Sequence, residues 1–379
     1  MTPKDVLTNP YFCPMPWTGL MYNFDGNVKN CIRSTVPIGN IQDRDIVGIV
    51  KGNTNIITQN RIVSESPVSA CRGCYDLEQG KKGFDHISDR VFYIRELKHV
   101  PTDTYSAGNF DLKTVDVRWT NLCNFACVYC SPEFSSRWAD ELNVTQARPG
   151  DTAYAEFKQY VFEHARDLKH VYLAGGEPLL MRENLELLEL LQQVNPDVNL
   201  RINSNLSKTD TRVFDKVCEF KNVHWIVSVE SIKQRFEYIR HGSNWQDFAD
   251  NLATINKLGH KISFNMLYFL LNYLDVFDCL RWLQHQGFHN NSFILGALTG
   301  PVHLDVRHLP DHKLKQVKTT IEHWLDATPG YLLENGLRNI LDYIQQPFDK
   351  NLDGALAEIA KLDQRRGQDS RNTFPELYQ

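Results

Sequence analysis

Apolar residues recur with two different periods along this chain, and the change of period divides it. From about residue 113 short apolar runs alternate with longer segments in which apolar residues return every three or four positions. Runs of four to eight indicate strands, and the three-to-four spacing indicates helices buried along one face. The runs predict strands at 115–120, 171–174, 199–203, 225–229, 261–267 and 292–298. Tyr154, Phe157, Val161, Ala165 and Leu168 share one helical face, and Leu185, Leu188 and Leu191 share another. Further helical patterns cover 210–219, 232–240, 245–258 and 272–286. Six strand–helix repeats predict parallel strands with right-handed crossovers. Six is too few for a closed eight-stranded barrel, so an open or partial barrel is expected.

The flanks follow other patterns. Residues 1–75 are rich in turn formers, and 19–22 and 28–32 flank Asn23-Phe24-Asp25-Gly26-Asn27. Asp-Gly supplies a positive φ at a tight turn, so this segment predicts a hairpin. Val91, Ile94 and Leu97 make 76–112 a largely helical connector ending in a polar loop. After the alternating region at 113–300, residues 301–379 form a helical extension. There Leu314, Val317, Ile321 and Trp324 share a face before a polar end. No repeat beyond the alternation and no low-complexity segment is visible.

Composition narrows the classes. The 379 residues carry 41 Lys+Arg against 46 Asp+Glu, a formal charge of −5, with 42% hydrophobic and 23% charged residues. This is a globular composition. Its mild acidity, without a long basic run, argues against a nucleic-acid partner. No apolar stretch has membrane-spanning length, and Met1–Pro10 lacks the apolar core of a secretory signal, so a cytoplasmic location and no membrane partner are expected.

The nine cysteines change the picture most. They are Cys13, Cys31, Cys71, Cys74, Cys123, Cys127, Cys130, Cys218 and Cys279. An odd number in a chain without a signal suits metal ligation in a reducing compartment better than a disulfide framework. Cys123, Cys127 and Cys130 are spaced C-x3-C-x2-C directly after the first core strand. Three thiolates on one loop suit three irons of a four-iron cluster whose fourth iron stays open, or alternatively three ligands of a structural zinc.

This loop, with the aromatic Tyr129 before its last cysteine, resembles the signature of the radical S-adenosylmethionine (SAM) superfamily. The resemblance covers about 113–300 and implies an α/β fold, a partial parallel (β/α)6 barrel. It also implies that the open iron of a [4Fe-4S] cluster chelates SAM. Reductive cleavage then yields methionine and a 5′-deoxyadenosyl radical that abstracts hydrogen, the cofactor carrying the hard chemistry. A reducing electron donor is a further implied partner.

Other positions extend the resemblance. Gly175-Gly176-Glu177, in Leu173-Ala174-Gly175-Gly176-Glu177-Pro178, looks like the family's GGE motif at the SAM methionine moiety. Asn203 and Asn205 after the third strand, and Ser228 and Glu230 after the fourth, match positions that contact SAM in relatives; polar strand-end caps are the plainer alternative. Arg240 resembles the arginine that pairs with the SAM carboxylate, for which a guanidinium fork is suited, and equally suits a solvated helix end.

Cys13, Cys31 and the Cys71-Arg72-Gly73-Cys74 pair give four thiolates and a closed site, which suits zinc or a four-iron cluster. With Pro14-Met15-Pro16-Trp17, Asp25-Gly26-Asn27 and Gly39-Asn40-Ile41, the segment resembles a SPASM/twitch domain. That implies one auxiliary [4Fe-4S] cluster, here preceding the core rather than following it. Cys218 and Cys279 read as packing residues. Substrate-side candidates are Arg118 and Trp119 on the first core strand and Asn265 and Tyr268 on the fifth. His303, Asp305, Arg307 and His308 after the sixth complete the set. Each has a structural alternative.

The resulting expectation is a radical SAM enzyme that modifies a peptide or protein. The alternatives are a dehydrogenase of a small molecule and, in another class, a noncatalytic iron–sulfur or zinc protein that senses redox state or binds a partner.

Overall fold

A computed structural model describes residues 9–78, 88–327 and 331–379. They form two compact units, each drawn from several stretches of chain. The first comprises Met1–Leu122, Val144–Ile202 and Thr211–Val223; the second comprises Cys123–Asn143, Asn203–Asp210 and His224–Gln379.

In the first unit, β1 (Gly19–Tyr22) and β2 (Asn27–Lys29) form the expected antiparallel hairpin. Gly26 takes a φ of 87° at its turn, a conformation that a side chain would strain. β3 (Gly39–Asn40) pairs with β2. β4 (Thr114–Val117), β5 (His170–Leu173) and β6 (Asn199–Ser204) pair in parallel, giving the order β3-β2-β1-β4-β5-β6. Val115, Val171 and Leu200 lie in one register row, and Val117, Leu173 and Ile202 in another. None of the six is more than 1% exposed. Of the residues predicted to face inward, helix Asp151–Glu163 buries Phe157 and Val161 and helix Arg182–Val194 buries Leu188 and Leu191, while Tyr154 and Leu185 are half-buried and Ala165 and Leu168 follow the first helix.

The hairpin, expected inside a separate small domain, is hydrogen-bonded into the sheet: β1 runs parallel to β4, and Tyr22 stacks on Phe157 with ring centroids 4.2 Å apart. Of the connector expected over 76–112, residues 79–87 lie outside those described, as do residues 1–8 of the N-terminal region. The described part of the connector holds the end of helix Arg72–Glu78, the helix Asp89–Glu96, capped by the Ser88 hydroxyl accepting from Val91 N, and a turn at Thr102–Tyr105. Tyr93, Leu97, Val100 and Tyr105 pack with Phe12, Trp17 and Cys13 in one apolar cluster.

In the second unit, β7 (Val223–Ser228), β8 (Lys261–Tyr268) and β9 (Phe293–Ala297) are parallel and adjacent in that order. Helices Lys233–Ile239, Trp245–Asn256 and Val276–His285 follow the predicted rhythm. The extension begins with Asp311–Ala327, which buries Val317, Ile321 and Trp324 as its periodicity requires. The extension continues as helix, as expected, through Tyr331–Ile344, Leu352–Arg366 and Ser370–Thr373. Among the described residues, no helix is long and apolar enough to cross a membrane.

Candidate functional site

The Cys123–Cys130 loop has no regular structure of its own, so its shape comes from what it is tied to. Phe125, Ala126 and Val128 are buried, with exposures of 3% or less. Ala126 N donates to His241 O at 2.9 Å and Val128 N to Ile239 O at 2.8 Å, while Cys130 N closes a turn on Cys127 O. The helix Ser136–Leu142 clamps the other side. Ser135 Oγ caps it by accepting from Trp138 N and donates to Phe125 O at 2.6 Å, and the Trp138 indole N–H donates to Cys127 O at 2.7 Å. Ser136 Oγ accepts from Cys123 N. Every second or third residue is thus anchored, and the three cysteines are what the loop presents. Burial pushes the Cys127 thiol up and lifts Cys130 to about 12, so both stay protonated until a metal displaces the proton.

Charged and polar groups gather around these thiols within the second unit. Arg240 Nη1 lies 3.9 Å from Cys127 Sγ. Its Nε and Nη2 donate to Glu230 at 2.8 and 2.6 Å in a two-pronged pair whose side chains are 3% and 1% exposed. Tyr129 Oη donates to the same carboxylate at 2.9 Å. Glu230 and Arg240, each expected to contact SAM, therefore engage each other. Asn205 Nδ2 is 3.9 Å from Cys123 Sγ and donates to Asn124 Oδ1 at 3.1 Å. Asn203 is half-buried, with Oδ1 enclosed and without a hydrogen bond. Ser228 ends β7 in register with Asn265 of β8, and both are half-buried.

Two contributors were not anticipated. Trp138 stands outside every motif of the sequence, yet its indole holds the loop. Arg366, far along the chain, stacks over the Trp138 ring at 4.4 Å, with its side chain 1% exposed and paired to Glu141. Arg366 ends the helix Leu352–Arg366, and no motif in the sequence marks it.

The Gly175-Gly176-Glu177 segment belongs to the first unit. A Cβ on Gly176 would lie 2.1 Å from Leu122 O, and Gly175 has a φ of 121°. Glu177 N donates to that same Leu122 O at 2.7 Å. The two glycines are therefore required by the close approach of this turn to the backbone that leads into Cys123. Glu177 is fully buried, and its Oε1 accepts from Leu179 N.

Three of the four N-terminal cysteines, Cys13, Cys31 and Cys71, line one cavity of about 360 Å3 with Asn30, Ser34 and Val68. That is roughly ten water volumes, far more than one ion fills. Cys74 is buried on the adjoining helix Arg72–Glu78 and interacts electrostatically with the other three. Burial raises Cys31 to about 12 and Cys71 to about 11. All nine cysteines are free thiols. Among the described residues, no three His, Cys, Asp or Glu side chains converge as closely as a single metal ion requires.

The remaining substrate-side candidates have mostly structural partners. Tyr268 has no exposure and donates to Tyr273 O. Asp305 is locked by Arg307 at 2.7 Å and by the Tyr343 hydroxyl, and His308 Nδ1 accepts from Asn351 N. His303 is half-buried, and burial lowers its pKa. Trp119 is buried, its indole donating to Asn184 Oδ1. Arg118 is half-buried beside Asp116.

The parallel strands with their crossing helices, together with a three-cysteine loop after β4, resemble a radical SAM domain. Residues 117–283 match the family described as the Radical SAM superfamily, and SAM and a [4Fe-4S] cluster are the cofactors that family implies. Among curated proteins, the chain is similar to the GTP 3′,8-cyclase of Aliarcobacter butzleri, 25% identical over 231 residues, or 57% of this chain and 68% of that protein. It is likewise similar to the GTP 3′,8-cyclase of Sulfurimonas denitrificans, 24% identical over 173 residues, covering 44% of this chain and about half (51%) of that protein. Among solved structures, "Native anSMEcpe with bound AdoMet" aligns with a TM-score of 0.44 and 16% identity, covering 57% of this chain and 61% of that chain.

Proposed function

We propose that this protein holds a [4Fe-4S] cluster on Cys123, Cys127 and Cys130, cleaves SAM reductively, and uses the 5′-deoxyadenosyl radical to abstract hydrogen from a peptide or protein. The observation that carries this reading is the anchoring of the loop through Phe125, Ala126 and Val128, which leaves three thiols and no fourth ligand on that segment. When bound, the cluster supplies one electron and an open coordination position. The chain's own residues do the rest. Trp138 and the backbone of 239–241 hold the loop still, and Arg240, neutralised by Glu230, sets a guanidinium against Cys127. Gly175 and Gly176 let the turn before Glu177 pass close to the backbone. Asn203, Asn205 and Ser228 are the polar groups assigned to SAM.

Cys13, Cys31, Cys71 and Cys74 are assigned to one auxiliary [4Fe-4S] cluster, and the cavity that the first three line is roomier than a zinc ion needs. A small-molecule substrate is the second reading, favoured by the name of the curated relatives.

Anaerobically reconstituted and reduced protein should form 5′-deoxyadenosine from SAM, and Cys127→Ala should abolish it. Turnover surviving that substitution, or absent from the wild type with its cluster in place, would overturn the proposal. Iron and sulfide should each approach about eight per chain; about four with one zinc would reassign the N-terminal site.

A further inference from the structure

The two faces of the first unit's sheet differ sharply in chemistry. The face carrying Val115, Val117, Val171, Leu173, Leu200 and Ile202 is closed to solvent. Pairing in register places Asp116, Tyr172 and Arg201 side by side in one row on the opposite face, continued by Met21 of β1. Thr114 precedes that row on β4 and Arg118 follows it. Parallel sheets in α/β folds are usually apolar on both faces, and barrel interiors are filled by branched apolar side chains. An acid, a phenol and two guanidiniums across neighbouring strands depart from that rule.

These groups are enclosed but not satisfied. Asp116 is 5% exposed, and its Oδ1, together with Arg118 Nε, Arg201 Nε and Thr114 Oγ1, is buried without a hydrogen-bond partner. The one internal link is long, Arg118 Nη2 to Asp116 Oδ2 at 3.5 Å. Arg201 is held from the sides, over the rings of Phe92 at 4.9 Å and Tyr172 at 5.3 Å, which fixes its plane while leaving Nε unused. A buried polar atom without a partner forfeits its hydration with nothing in return, so four in one layer imply something that supplies partners. The nearby acid Asp89 is already paired to Arg33, and Glu96 lies by His170, so the row keeps an excess of one positive charge.

We infer that the row Asp116–Tyr172–Arg201, with Arg118, is a ligand subsite for an anionic oxygen group, a carboxylate or a phosphate, on a molecule with a neighbouring N–H or O–H donor. The two guanidiniums meet the anion and Asp116 Oδ1 accepts from the donor. The assignment rests on the proposed function only in calling that molecule the substrate.

The test is calorimetric titration of the cluster-loaded chain, without SAM or reductant, using succinate, inorganic phosphate and the uncharged succinamide. One of the two anions binds and succinamide does not; which anion binds separates the two sources of the group. Arg201→Gln and Arg118→Gln each weaken the anion by about tenfold or more, Arg201→Lys keeps more of it than Arg201→Gln, and Asp116→Asn tightens it. Far-UV circular dichroism checks that each variant is folded. Binding of neither anion, equal binding of succinamide, or a uniform loss across all variants would overturn the subsite and leave a water-filled structural layer. Because no SAM cleavage is measured, failure here is separate from failure of the Cys127→Ala experiment.

Discussion

At the scale of single residues, His170 carries a consequence for stability. It is 4% exposed on β5, and burial, helped by the charge of Arg201, lowers its pKa to about 4. Glu96 lies 3.4 Å from its Nε2, but that carboxylate is 40% exposed and does not reverse the effect. An unfolded histidine titrates near 6.5, so between that value and about 4 the unfolded chain binds the extra proton. Stability is therefore full above about pH 6.5, falls as the pH drops through this window, and levels off below it. The loss is at most about 3 kcal/mol. Urea denaturation at pH 7 and pH 5 should show it, and His170→Gln, which cannot protonate, should flatten the difference; parallel curves would refute the assignment. Legibility at this scale depended on how local the chemistry is. Three cysteines within eight residues announce themselves by spacing alone. Glu230 and Arg240 were each legible as polar groups at element ends, but nothing in a one-dimensional pattern says that two such groups satisfy each other. Arg366 and Trp138 lie still farther apart in the chain, and their stacking depends on the helical extension that joins them only in three dimensions.

At the scale of elements, the period of apolar positions located all six core strands to within a few residues, because the buried rows leave no other pattern. It ran long at β4, where Arg118 and Trp119 continue the alternation but the strand ends at Val117, Arg118 N making a last bond to Tyr22 O at 3.1 Å. The polar face of the sheet is written in the same alternation, as Thr114-Val115-Asp116-Val117-Arg118, but a period-two pattern does not say that its polar half is enclosed. The turn after β5 shows what a motif means physically. Alanine at Gly176 would force its Cβ to 2.1 Å from Leu122 O and 2.7 Å from Asn121 O, both backbone atoms that cannot rotate away. Gly176→Ala is expected to cost about 1–3 kcal/mol and to loosen the segment entering Cys123, lowering iron content on reconstitution. Gly296→Ala, where a Cβ meets nothing within 4 Å, is the control and should leave the melting temperature nearly unchanged. Equal melting of both variants would show that the close approach is not needed.

At the scale of the whole chain, the N-terminal cysteine region reads from sequence as a separable domain of 75 residues, and the packing argues that it cannot fold as one. β1 hydrogen-bonds along its length to β4, from Gly19–Thr114 to Tyr22–Val117. The Trp17 indole donates to Ser106 O at 2.9 Å. Gln59, with no exposure, donates to Asn109 O at 2.9 Å and accepts from Gly108 N at 2.7 Å. The apolar cluster around Cys13 and Trp17 takes Tyr93, Leu97, Val100 and Tyr105 from beyond residue 90. Cutting at 75 removes every one of these partners, opening the cluster to water and leaving Gln59 with buried groups unpaired. Small domains have little stability in reserve, so losses of this kind exceed what the fragment retains. A fragment of residues 1–75 should therefore lack dispersed amide resonances and a cooperative thermal transition, with or without added zinc or a reconstituted cluster. Extending it to 122 restores those contacts but leaves β4 without β5, so it too should remain short of native order. A 1–75 fragment that melts cooperatively with native-like dispersion would show that the four-cysteine region is self-sufficient and that its pairing with β4 is incidental.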